Sequence, residues 1–187
     1  MSATFAGLDE MELRVVITDK ELPLPSNRTL AEAGAAGMMD LIYNHLIERN
    51  ATSRHRAGMP KSDYWADAAD SMQVNMEGDK GVVTIDKEGA ALHYYGGIVY
   101  PTGGRKSLAI PVHPAVWDQR PAEYDPSHEK LSLVWPKGEK TGTLRDKETD
   151  EPYYILVAHA TIPADRSVLP TEDALLDAAR TAMESIL

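Results

Sequence analysis

The sequence predicts an α+β fold. It implies a mixed or antiparallel sheet of about four to six strands, packed by a long N-terminal helix and a C-terminal helix, with a long protruding hairpin. Three observations predict it. Apolar residues recur at helical period in one stretch near the N-terminus and another at the C-terminus. Short β-branched and aromatic runs lie between them, separated by glycines, prolines and charged turns. These runs are grouped rather than alternating with helices, which favours α+β over a parallel α/β sheet.

Taking the elements in order, residues 13–18 read as a strand, and Leu22-Pro23-Leu24-Pro25 imposes an extended link. Thr29 and Glu32 have the spacing of a capping box, and a helix is expected over 29–49. Leu30, Gly34, Met38, Leu41, Ile42 and His45 fall on its apolar side. Gly34 and Gly37 each cost about 1 kcal/mol of helix propensity against Ala, and close approach of another element would explain them. Residues 51–63 are polar and locally basic and read as a loop. A short helical stretch from Tyr64 follows, then a hairpin of two strands turning over Glu77-Gly78-Asp79-Lys80.

Ala90-Ala91-Leu92-His93-Tyr94-Tyr95-Gly96-Gly97 leads into Ile98-Val99-Tyr100, and Lys106 to Val112 is strand-like. Residues 113–130 hold three prolines and read as a long loop. Leu131 to Trp135 and Tyr153 to Ile162 are strands, joined by the charged, glycine-punctuated run 136–150 that would form the protruding hairpin. Thr171 caps the last helix, with Glu172 and Asp173 in its first turn where the dipole favours them. Leu175, Ala179, Ala182, Met183 and Ile186 form its apolar stripe. At 187 residues and 43% apolar content, one α+β domain spanning 1–187 is expected, carrying the loop 51–63 and an insertion at about 113–152.

The formal net charge of -10 opposes general binding to phosphate backbones and anionic membranes. With no cysteines, the chain has no disulfide, thiolate zinc site or cysteine nucleophile. The first residues lack the pattern of a signal peptide and no run is long enough to span a bilayer, so synthesis and folding in the cytoplasm are expected.

Catalytic patterns are weak. Gly103-Gly104-Arg105-Lys106-Ser107 approaches a phosphate-binding loop, but Arg105 stands where glycine is needed and a β-like run follows. None of the six histidines has the spacing of a helical metal site. His93, His113 and His159 would converge only if their strands were adjacent, which leaves a small metal- or histidine-dependent hydrolase as the alternative reading. No Gly-x-Ser-x-Gly elbow occurs. Tyr94, Tyr95, Tyr100, Tyr153 and Tyr154 flank glycines and strand ends; some fill the core and others suit a contact with a neighbouring subunit.

Ala90-Ala91-Leu92-His93-Tyr94-Tyr95-Gly96-Gly97 resembles the "Tyr-Ala-x-x-His-x-x-Gly-Gly" signature of phage tail-completion and virion-morphogenesis proteins. Ile162-Pro163-Ala164-Asp165-Arg166-Ser167-Val168-Leu169-Pro170 resembles that family's "Ile-Pro-Ala-Arg-Pro-Phe-Leu" motif, again leading into a terminal amphipathic helix. The basic loop residues Arg54 and Arg56, followed by Trp65, match the family's loop with a tryptophan. Asp165-Arg166-Ser167 departs from the family's Arg-Pro-Phe, and 113–152 is longer than its usual connection. The resemblance implies a structural virion protein with no catalytic, cofactor or metal site. It implies a homo-oligomeric ring, commonly sixfold, that completes the tail end and joins head to tail as a neck or tail-terminator component. Its neighbours would be neck or connector and tail-tube or sheath proteins, with DNA passing through the lumen without specific binding and no membrane involved. Gly96 and Gly97 then read as a structural corner, with His93 as its hydrogen-bonding anchor and Tyr94, Tyr95, Trp65, Arg54, Arg56, Ile162, Pro163 and Arg166 as further structural or interface candidates.

Overall fold

A computed structural model of the protein describes residues 3–6, 11–16, 25–53, 62–117 and 119–187, the first two stretches as backbone only. In chain order the elements are β1 (Ala3–Ala6), β2 (Met11–Val16), α1 (Asn27–Thr52), α2 (Tyr64–Asp70), β3 (Met72–Glu77), β4 (Lys80–Ile85), α3 (Ala90–Tyr95), β5 (Gly97–Val99), β6 (Leu108–Pro111), α4 (Pro121–Tyr124), β7 (Leu131–Val134), β8 (Gly142–Asp146), β9 (Pro152–Val157), β10 (Ala160–Ile162) and α5 (Glu172–Glu184). The α+β class holds: a long N-terminal helix, a C-terminal helix and antiparallel sheets of two to four strands. None of the described helices is long and apolar enough to cross a membrane.

The chain divides into two compact units. The first comprises 1–53, 63–97 and 163–187; the second comprises 54–62 and 98–162.

In the first unit the sheet runs in the order β1-β2-β4-β3. β3 and β4 pair from Met72↔Ile85 to Glu77↔Lys80, so the turn falls on Gly78-Asp79, where Gly78 has a φ of +64°. This is the hairpin expected from the sequence. β2, read as a strand over 13–18, pairs from Met11↔Ile85 to Val16↔Lys80; residues 17 and 18 and most of the Leu22–Pro25 link lie outside the described residues.

α1 lies across this sheet, burying Ala31, Ala35, Met38, Ile42 and Leu46 at helical spacing. Its N-cap is Ser26, whose Oγ accepts from the Thr29 amide at 3.2 Å. The helix therefore starts ahead of the expected Thr29 cap, and Thr29 supplies the amide instead. α5 keeps the expected cap, with Thr171 Oγ1 accepting from the Ala174 amide. It buries Leu175, Ala179 and Met183 against α1, while Ile186 at the end of the expected stripe stays exposed.

Close approach explains one of the two helix glycines. A Cβ at Gly37 would sit 2.6 Å from Ala182 Cβ and 2.7 Å from the Ala178 carbonyl oxygen on α5. At Gly34 the nearest atoms are those of the flexible Met183 side chain at 3.5 Å, ordinary contact. On the sheet side, a Cβ at Gly81 of β4 would meet Ala35 Cβ at 2.6 Å.

The second unit holds the sheet β6-β9-β8-β7 and the two-stranded sheet β10-β5. Its small core is Val116, Tyr153 and Tyr154, with Ala109, Tyr124, Leu131 and Leu144 packed around it. β8 lies within 136–150, the run read from sequence as a protruding hairpin: Leu131↔Asp146 through Val134↔Thr143 pair β7 with β8, and β8 then pairs with β9. Arg145 and Asp146 disguised this strand, yet Gly142 is buried and the rest of β8 is half-buried. Trp135 covers Gly142 closely enough to leave no room for a Cβ, and its Nε1 donates to the Glu139 carbonyl at 3.0 Å. The 113–130 stretch, read as a loop, contains the 3-10 turn Pro114–Val116 and α4. It is pinned by the buried Asp125 carboxylate, which accepts from the amides of Glu129, Lys130 and Leu131. Burial disfavours its charge most strongly, but the three amides together outweigh it and hold the carboxyl below its ordinary range.

Gly37→Ala is expected to lower stability by about 1–3 kcal/mol, because a methyl must be forced against α5 backbone. Gly34→Ala is expected to be neutral or to add up to about 1 kcal/mol through helix propensity. Urea unfolding followed by circular dichroism separates them; equal shifts for both variants would contradict this packing.

Candidate functional site

The motif residues of the first unit gather at one corner, where α3 meets the segment 163–168. α3 starts at Gly89 and ends at Gly96, whose amide donates back to the Leu92 carbonyl at 2.8 Å. Gly96 has φ +75° and ψ +170°, a combination open essentially to glycine alone. A Cβ there would also sit 2.6 Å from the Ala164 nitrogen. Gly97 has no such backbone demand, but a Cβ would meet Leu92 Cδ1 at 2.7 Å. The two segments are tied by one main-chain bond, the Asp165 amide donating to the His93 carbonyl at 2.9 Å.

His93 thus anchors the corner, but through its backbone and not its ring. The imidazole packs edge-on against Tyr64 at 5.3 Å and Trp65 at 5.2 Å between ring centroids. Among the described residues no side-chain hydrogen bond of His93 is seen. Burial lowers its pKa most, the Arg49 guanidinium lowers it further, and Asp165 opposes both. Tyr64 donates to the Glu88 carbonyl at 2.8 Å, and its phenol is pushed up to about 12 by burial and then by the Glu88 charge.

Arg49, in the last turn of α1, joins these parts. Its guanidinium lies 4.8 Å over the Trp65 ring, donates to the Ser167 carbonyl and Oγ at 3.2 and 3.1 Å, and pairs with Asp165. Asp165 also accepts from the Ser167 amide and hydroxyl. The Ser167 hydroxyl and then Arg49 are the main reasons its carboxyl lies below the ordinary range. His45 Nε2 meets the Ser167 carbonyl at 2.8 Å, so this histidine of the apolar face ends as a half-buried partner of the 3-10 turn Arg166–Val168.

Of the residues singled out from sequence, Trp65, His93, Tyr94, Tyr95, Gly96, Gly97, Pro163 and Arg166 belong to this unit. Arg166 lies over the rings of Tyr94 and Tyr95, 4.4 and 4.9 Å from their centroids. Ile162 ends β10 in the second unit, and Arg54 and Arg56 lie outside the described residues. Arg49, Asp165 and Ser167 were not selected as a group; a lone cation in a last helical turn and an Asp-x-Ser turn were the available signals.

The other two histidines of the alternative hydrolase reading, His113 and His159, have their own partners in the second unit. His113 stacks on Tyr153 at 4.2 Å, and its Nδ1 accepts from the Ala115 amide. His159 lies 5.8 Å from Tyr100. Tyr153 and Tyr154 are core residues, and Tyr154 donates to the Gln119 carbonyl at 3.1 Å. No group of three or more His, Asp or Glu placed to hold a metal ion occurs among the described residues. No family model, curated protein or solved structure matches the chain.

Gly96→Ala is expected to lower stability by roughly 2–4 kcal/mol, combining a forbidden backbone with a clash against Ala164; a thermal midpoint within experimental error of wild type would refute the corner geometry. For His93 the sign follows from its depressed pKa. The unfolded imidazole takes up a proton below 6.5 while the folded one resists, so stability is complete above 6.5 and is lost as pH falls from there toward the folded value. Unfolding free energies measured against pH should therefore fall less steeply on acidification in His93→Gln than in wild type.

Proposed function

We propose that the chain is a structural virion protein, a ring-forming neck or tail-terminator component that completes the tail end of a long-tailed phage and helps join it to the head. The observation that carries this reading is the meeting of its two signature segments. His93 to Gly97 and Pro163 to Arg166, far apart in sequence, build one corner through the Asp165–His93 main-chain bond and the contact of Gly96 with Ala164.

Ring closure needs heterologous contacts repeated from copy to copy. Among the described residues the sheet orders put β3 at an edge in the first unit and β7 at an edge in the second, positions suited to sheet augmentation. Leu133 in β7 is 62% exposed and Trp135 just after it 45%, apolar surface of the kind that interfaces cover. In the first unit acidic residues outnumber basic ones by more than two to one, whereas the second is near balance. An acidic surface lining the lumen repels DNA phosphates and lets the duplex pass without sticking. The partners in this reading are further copies of the chain and the adjoining neck, connector, tail-tube or sheath proteins.

Mass spectrometry of purified phage particles, with electron microscopy of the head–tail junction, tests the proposal. The chain is expected in whole particles as a ring at that junction. Its absence from purified virions would sink the reading.

A further inference from the structure

Arg166 is placed unlike an ordinary surface arginine. Its guanidinium rests over Tyr94 and Tyr95, whose rings meet edge to face at 4.9 Å with an interplanar angle of 87°. Two π faces hold a flexible side chain in place and supply attraction that a weakly hydrated guanidinium accepts readily. The nearest carboxylate in sequence, Asp165, is already engaged by Arg49 and by the amide and hydroxyl of Ser167. Among the described residues Arg166 forms no ion pair. Arg166 is exposed and backed by two aromatic rings, in the unit richer in acids, and among the described residues its N–H fork meets no carboxylate; a carboxylate is the group such a fork binds in bidentate fashion.

We infer that Arg166, clamped on Tyr94 and Tyr95, receives a carboxylate of a second copy of this chain and forms the centre of a contact between copies. Charge complementarity selects the occupant. The chain carries a formal net charge of -10, and its acids concentrate in the first unit, so a neighbouring copy brings abundant carboxylates to this cation. Tyrosine and arginine are also the residue types that dominate contact energies at interfaces. Two parallel N–H donors fix the orientation of a carboxylate, which a repeating contact requires.

This inference rests on the self-assembly proposed above, and sedimentation of the full chain separates the two. Wild type, Arg166→Met and Arg166→Glu are compared over a range of concentration and salt. Arg166→Met keeps side-chain packing on the tyrosine rings and removes the charge. Thermal unfolding of each variant is expected to fall only slightly below wild type, because Arg166 is exposed and loses only its contacts with the two rings. Association of wild type should weaken as salt rises, and Arg166→Met should associate on the order of tenfold more weakly, Arg166→Glu more weakly still. If wild type associates and both variants associate equally well, Arg166 faces something other than a copy, and the inference is overturned while self-assembly stands. If wild type stays monomeric even under chemical cross-linking, self-assembly fails and the inference fails with it.

Discussion

The first unit depends on how closely α1 is approached from two sides. On one side Gly37 lets α5 come near enough that its Ala178 carbonyl and Ala182 methyl fill the place of a side chain; on the other Gly81 lets β4 do the same against Ala31 and Ala35. Small residues at these contacts replace interdigitating large ones, so α1 is held by backbone-to-backbone proximity and by the flanking Met38, Ile42 and Leu46. Such contacts leave little play. The far end of α1 is fixed in space as a consequence, and Arg49 sits there.

From that fixed position Arg49 reaches two separate pieces of chain. It covers Trp65 of α2, pairs with Asp165, and donates twice to Ser167. Each of these groups is committed again elsewhere: Trp65 packs on His93, and the Asp165 amide donates to the His93 carbonyl. The network closes on itself, so the geometry of the corner follows from the helix packing below it. The depressed pKa of His93 belongs to the same arrangement, since burial beside Arg49 disfavours a second positive charge there.

Much of this fold was legible because local signals agreed with tertiary demands. The β3–β4 hairpin had two short strand runs and a turn at Gly78, and α5 had Thr171, two acids in its first turn and an apolar stripe; the structure keeps these, except that Ile186 lies beyond α5 and is exposed. Legibility failed where a side chain's role was set by distant neighbours. Thr29 looked like a cap, yet Ser26 takes that place, since either hydroxyl can accept an amide and spacing alone does not choose. β8 escaped notice because Arg145, Asp146 and their neighbours are charged, and its pairing with β7 and β9 comes from non-local ladders. At the corner, Gly96 was readable as glycine before a turn, but Arg49 was not, because the groups it hydrogen-bonds to, Asp165 and Ser167, lie more than a hundred residues away.

The corner also explains why a contact surface can be built there at small entropic cost. Ordering loose side chains opposes association, so a surface already rigid before contact binds more tightly for the same area. The segment that closes the corner through Asp165 is the one that presents Arg166, with a single peptide bond between the inward and the outward residue. Inward, Asp165 is fixed by Arg49 and Ser167; outward, Arg166 is fixed by Tyr94 and Tyr95, which α3 holds in place through its glycine ends. Rigidity that begins in the glycine contacts of α1 is thereby passed to the guanidinium. In the proposed ring the same residues serve folding and assembly, and a change that loosens the corner weakens both together.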